Sequence, residues 1–478
     1  LASFTMSGGT LTFSGNARLQ ADSVDISDGA IIFEETTSLG GEPDIFSRIF
    51  TPALSLTPKT MTVIQGEHAL DPTGSVIATD RLIVQGIGGT TTGTLHMVNA
   101  GSLVVADELS LGYGANADAH LTCASNVTIR IGTEFQRGLL QVGANTGASP
   151  SYGKASLIAG CGFDAWLTDL SVGYRVGGYS LGDTRGLLDL SAVTNPGVLD
   201  VSGDVRIGWS RFGEGNVIVS DAIDVRIGSP ENRAGFLHIA SISNGDRGQS
   251  SSLVLGAGRF DAYITDFEVG AGQADGLLDA SKVSEGVLDV LGHVYVASLY
   301  NKPGRVFLSE GVRVKIGRPE SRSEFILAGG ETSTGIFEAK SDRWTAYLSS
   351  LTIAEPYSRS GTTGVLDLGE VNEGVLDISG SLRMGLNRYA SATLRLSSGF
   401  STRIGAATNR AVLAIADGER WIDVEMAAAG VFEAYLSDLI VGRRKYITAG
   451  IPGHAILDLS RVTNGVLDVA GDMIVGSG

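Results

Sequence analysis

Cysteine is almost missing from this chain. Two residues, Cys123 and Cys161, stand in 478. Two thiols build neither a disulfide framework nor a cysteine-rich zinc site. If they lie two coils apart in a stack of strands, about 9–10 Å separates them, beyond disulfide reach. They read as isolated structural thiols. Charge is sparse as well, at 18% of residues, and it leans one way: 35 Lys and Arg against 52 Asp and Glu, a net −17. That balance disfavours nucleic acid and anionic membranes as partners, because both select clustered cations. There is no apolar run of 18 residues, so no membrane-spanning helix is expected and no membrane insertion. Catalytic signatures are lacking too. There is no GxSxG, P-loop or GxGxxG before a helix, and the six histidines (68, 96, 120, 238, 293, 454) show no HExxH or H-x-H spacing. We expect scattered surface histidines, no catalytic residue, no metal, no cofactor and no enzyme activity.

What the chain has is glycine, 66 residues, and repetition. One phrase occurs five times: GSLVVADELSLG at Gly101, GVLDVSGDVRIG at Gly197, GVLDVLGHVYVA at Gly286, GVLDISGSLRMG at Gly374 and GVLDVAGDMIVG at Gly465. The spacings are 96, 89, 88 and 91 residues. Self-similarity at a fixed period marks a repeat architecture. A finer interval sits inside it. Leu111-Gly112 precedes Ile131-Gly132 by twenty residues, as Ile207-Gly208 precedes Ile227-Gly228, Val296-Ala297 precedes Ile316-Gly317, and Met384-Gly385 precedes Ile404-Gly405. Each phrase alternates apolar and polar residues, the mark of a strand with one buried face. The sequence therefore predicts an all-β chain, a single elongated parallel β-solenoid (β-helix). Its coils hold about 20 residues within a super-repeat of about 90, roughly four coils each. Ile207 is then expected over Ile227, and Gly208 over Gly228. Excursions such as 175–186 and 443–454 read as exposed loops.

Residues 1–78 depart from the pattern. Residues 1–34 alternate, whereas 40–75 hold four of the eleven prolines (43, 52, 58, 72), so 35–78 reads as an irregular cap or arm. Residues 79–478 form the solenoid, expected to be uncapped at its C-terminus, where the chain stops in mid-repeat.

Three features invite a chemical reading. Asp recurs at 189, 200, 279, 289, 367, 377, 458 and 468, with Arg or Lys nearby at 130, 206, 226, 315, 383 and 403. The row is either a Ca²⁺ ladder or the outward half of alternating strands, ion-paired across coils. The calcium repeat motif GGxGxD is absent. Aromatic pairs recur at Phe163 and Trp166, Phe260 and Tyr263, Trp344 and Tyr347, and Phe432 and Tyr435. They form either a sugar-stacking platform or core packing. A polysaccharide-degrading β-helix needs two or three acids converging on one cleft, and here the repeat spreads the acids evenly. Asn126-Val127-Thr128 is a glycosylation triplet.

The phrases LDLSRVTNGVLDVAGD (457–472), SVGY and IVGR resemble repetitive β-helical proteins of the bacterial surface, namely autotransporter-passenger-like adhesins and secreted strand-repeat proteins. The resemblance covers residues 79–478 and implies an exported, extracellular, non-enzymatic role. Solenoid ends carry unpaired backbone groups. The sequence therefore predicts a subunit of a surface filament, stacked head to tail on copies of itself. The interface would use Phe4, Met6, Leu11 and Phe13 at one end and Val466, Val469, Met473 and Val475 at the other. The alternatives are a monomeric adhesin binding cell-surface glycan and the polysaccharide-degrading enzyme.

Overall fold

The computed structural model describes residues 4–13, 24–33, 59–70, 76–85, 92–112, 118–143, 153–174, 184–209, 213–240, 250–271, 274–298, 302–330, 332–355, 361–386, 389–418, 421–444 and 453–476. Among them every element is a β-strand, and the strands pair in parallel, as a β-solenoid requires. Two compact units result. One holds Leu1–Asn232 with Gly256–Gly258, the other Arg233–Leu255 with Arg259–Gly478.

Each coil has three faces, visible as three columns of paired strands. In the first unit one column runs Asp118–Cys123, Gly153–Ile158, Thr184–Leu190, Gly213–Val219. A second runs Val127–Ile131, the first half of Gly162–Val172, Gly197–Val201, Ile223–Ile227. The third runs Gly138–Val142, the second half of Gly162–Val172, Val205–Ile207. The second unit repeats the plan, for example with Val294–Val296, Ser323–Leu327 and the end of Arg343–Ile353 in its third column.

Coil length differs from expectation. Leu288 pairs with Val314, Val314 with Trp344, and Trp344 with Gly374. One super-repeat is thus three coils of about thirty residues, not four of twenty. Ile207 rests on Val172 and Ile227 on Val201, so neither lies over the other. The twenty-residue interval is an arc, from the third face of one coil to the second face of the next. It recurs without insertion because both of its ends are corners. Gly208 and Gly228 close their strands with φ of 62° and 65°, in the left-handed region that glycine enters without Cβ strain.

The interior is built of like over like. Leu111, Val142, Val172 and Ile207 form one vertical row, in register and fully buried. Each such side chain contributes about 1.5–3 kcal/mol by leaving water, more than the 0–1 kcal/mol of an exposed ion pair. The apolar half of the alternation therefore holds the coils together. Strands Lys59–Gln65 and Glu67–Leu70 and the start of Val76–Gln85 fall inside the stretch expected to be irregular. Residues 34–58 lie outside the described residues.

Candidate functional site

The aromatic row divides in two. Phe163, Phe260, Trp344 and Phe432 are buried in the core, and Phe337 meets the Trp344 ring edge-on, 5.5 Å between centroids. Their partners Trp166, Tyr263, Tyr347 and Tyr435 are half-exposed on the outside of the second face. Each stands in register beneath an aspartate of the next coil: Asp200, Asp289, Asp377 and Asp468 respectively.

Those four aspartates are one end of a clasp. Arg137, Arg233, Arg322 and Arg410 each leave a four-residue corner. The corner is closed by Thr133–Gln136, Ser229–Asn232, Arg318–Ser321 or Ala406–Asn409 backbone bonds of 2.7–2.8 Å. Each guanidinium donates to a carbonyl one coil above (Leu167, Ile264, Leu348, Leu436) at 3.2–3.3 Å. It then reaches the aspartate two coils above. Arg137 meets Asp200 at 2.6 Å, Arg233 meets Asp289 at 3.0 Å, Arg322 meets Asp377 at 2.9 Å and Arg410 meets Asp468 at 2.8 Å. In two of the four the aromatic side chain of the middle coil lies alongside, Arg233 6.0 Å from the Tyr263 centroid and Arg322 5.9 Å from that of Tyr347. Three consecutive coils are tied by one side chain, once per super-repeat. These arginines escaped the sequence reading, although each stands five residues after a strand-ending glycine (132, 228, 317, 405).

The other four aspartates close turns. Asp189 accepts bonds from the Ser191 backbone and hydroxyl at 2.9 and 2.6 Å. Asp279 does the same with Ser281, and Asp367 and Asp458 accept from the Gly369 and Ser460 backbones. These are turns in which the carboxylate stands in for a backbone acceptor. Among the cations read from the sequence, Arg206 lies 2.6 Å from Asp204, just before its strand, and 3.7 Å from Asp169 one coil below. Arg226 lies 3.6 Å from Asp224. Among the described residues, no three His, Cys, Asp or Glu side chains are grouped to hold a metal ion.

No protein family, curated protein or solved structure among those compared matches this chain.

The expected interface residues fall on the first and last described strands. Among the described residues, Phe4–Phe13 pairs on one side only, with Val24–Phe33, and His454–Val469 and Met473–Val475 pair only with Trp421–Arg444. Met6 is buried and Leu11 half-buried; the side chains of Phe4 and Phe13 lie outside the described residues. Val466, Met473 and Val475 are exposed and Val469 is half-buried. Ile456 and Leu467, which the sequence reading passed over, are exposed with them.

The histidines are not all scattered. Glu268 sits between two of them, 3.2 Å from His293 Nε2 and 3.7 Å from His238 Nε2. His293 Nδ1 also meets Asp266 at 2.9 Å. The Glu268 hydrogen bond, then the Asp266 charge, favour the imidazolium, and the His293 pKa rises despite partial burial. The two cysteines are free and lie on adjacent coils rather than two apart, since Thr122 pairs with Ile158. Burial pushes the Cys123 thiol up to about 12.

Proposed function

We propose that this chain is a structural component of an extracellular surface, not an enzyme. It would assemble as a filament by stacking one copy's open edge on the next. The observation that carries the structural reading is the clasp. Of the surface rows that would serve a sugar platform or an acid pair, the Asp200 series is engaged in tying coil to coil, and Tyr263 and Tyr347 lie beside the arginines that do so. The mode of assembly follows from the solenoid architecture. Any edge strand of a parallel ladder can accept a further strand. A contact between two different edges propagates instead of closing. The repetitive bacterial surface proteins that the chain resembles support the exported setting. Negative-stain electron microscopy across a range of concentrations tests the proposal. Fibres that shorten when Val466 and Met473 are changed to Lys are the expected result. Single particles at every concentration would overturn the filament.

A further inference from the structure

The repeat makes its own exceptions visible. The second-face strand before each clasp corner occurs four times, as VTIRIG (127–132), IDVRIG (223–228), VRVKIG (312–317) and FSTRIG (400–405). Its fourth residue is an outward cation each time, and three of the four have a carboxylate. Arg130 meets Asp164 at 3.4 Å, Arg226 meets Asp224 at 3.6 Å, and Arg403 meets Asp377. Lys315 is the exception. It stands in register over Asp289, but that carboxylate is already held by Arg233 at 3.0 Å and by Arg318 at 2.8 and 2.9 Å. Arg318 fills a corner position where the other repeats have Thr133, Ser229 and Ala406. The second residue of the strand departs as well: Arg313 stands where the others have Thr128, Asp224 and Ser401. Arg313 and Lys315 are both exposed, at alternate positions of one strand and so about 7 Å apart. Among the described residues neither holds an ion pair.

Gly311, which leads into this strand, lines a groove of about 480 Å³. The groove is walled by the hydroxyl residues Ser281, Ser284 and Ser309, and its two charged members, Glu310 and Lys340, are of opposite sign. Ser281 and Ser284 are exposed. On the far side of Lys315, Thr345 stands in register on the next coil. A spare pair of cations therefore adjoins a hydroxyl-lined groove. The strand itself is paired on both sides, with Glu285–Val290 and with Arg343–Ile353, so no peptide can add to it as a further strand.

We propose that Arg313, Lys315 and the adjoining serine groove bind an acidic polysaccharide, a chain of sugar rings carrying carboxylate or sulfate. The two cations take acidic groups through charge-assisted hydrogen bonds, and the serines take ring hydroxyls. Exposed cations hold a single small anion weakly. A polymer that repeats its charge engages both at once and gains by multivalency. The net −17 of the chain disfavours a nucleic acid as the polymer. The site goes beyond the structural role proposed above and needs no filament. It gives a surface component a means of holding to an acidic glycan layer.

The test measures binding of the intact chain to immobilised polygalacturonate, dextran sulfate, neutral dextran and polyglutamate at low salt. At least one of the two acidic glycans should bind saturably, and which one tells carboxylate from sulfate. Neutral dextran and polyglutamate should not bind. Arg313→Ser with Lys315→Gln should weaken glycan binding about tenfold. Arg130→Gln with Arg226→Gln removes as much charge from the matching strands of other repeats, and should change binding less than about twofold. Ser284→Trp, which fills the groove and leaves both cations in place, should weaken binding too. Equal loss in the two double variants would reduce the effect to net charge. Equal binding of polyglutamate would assign the cations to an acidic protein. No saturable binding of either acidic glycan, or none lost in Ser284→Trp, would leave no glycan site. Each of these results overturns the inference, and none of them bears on whether the chain forms fibres.

Discussion

Arg322→Ala cuts one clasp in the middle of the second unit. The side chain is 19% exposed and its aspartate partner 7%, so water replaces little of what is lost. Three bonds go: to Asp377 Oδ1 at 2.9 Å, to the Asp377 carbonyl at 3.0 Å and to the Leu348 carbonyl at 3.3 Å. So does the contact with the Tyr347 ring. A charge-assisted bond contributes about 1.5–3 kcal/mol and a cation over a ring about 0.5–1 kcal/mol. Asp377 keeps Arg403, so the penalty of about 3–5 kcal/mol for an uncompensated buried charge does not apply. The expected loss is about 2–3 kcal/mol, confined to neighbouring coils. A global melt is the wrong assay, because repeat arrays open locally. Native-state hydrogen exchange should show protection falling roughly 30- to 150-fold in Arg343–Ile353 and Glu373–Met384, the two coils above the arginine. Arg410→Ala, whose aspartate is half-exposed, should cost less. Loss confined to Ser323–Leu327, where the arginine itself stands, would refute a tie that spans three coils.

Gly173 has φ of 64°, and a Cβ there would overlap the Glu214 carbonyl oxygen. Gly173→Ala should destabilise the first unit by about 1–3 kcal/mol, read from exchange in Thr184–Leu190 and Gly213–Val219; a neutral result would contradict the corner geometry. The raised pKa of His293 gives a signed pH dependence. Its stabilisation is complete below the ordinary histidine value of 6.5 and is lost as pH rises through the higher folded value. Exchange protection of Arg259–Val269, corrected for intrinsic rate, should fall over that window in the native chain and stay flat in His293→Gln. Cys123, with its thiol pushed up to about 12, should react with iodoacetamide at pH 8 at least about a hundredfold more slowly in the folded chain than in urea. Equal rates would show the thiol to be open.

Strand alternation and the five copies of the phrase were enough to read a parallel solenoid, because period-two burial and self-similarity are local properties of the chain. Coil length was not local. The twenty-residue interval joins Ile207 to Ile227, two corners on different faces, and nothing in the spacing separates an arc from a full turn. The fate of each aspartate was hidden for a related reason. Asp189 and Asp200 stand in near-identical phrases, yet one accepts from its own turn and the other from an arginine 63 residues away. The arginine lies in a corner whose other residues vary: TEFQ, SPEN, RPES, AATN. Alignment on the glycine before it would have exposed the column. The two members of each aromatic pair were read alike, as platform or as core, because alternation within one phrase does not say that the first faces inward and that the second has its neighbours on the coils above and below.

A solenoid held only by its interior rows could gain or lose any single turn and reseal. This one has a frame. Arginine, aromatic and aspartate sit on successive turns in fixed order, so deleting one turn brings an arginine opposite the wrong residue and leaves a carboxylate unmatched. Recombination between copies is silent only when it moves three turns together. The near-constant distance between copies of the phrase is what such a triplet rule requires, with about ninety residues as the smallest increment that keeps every clasp matched.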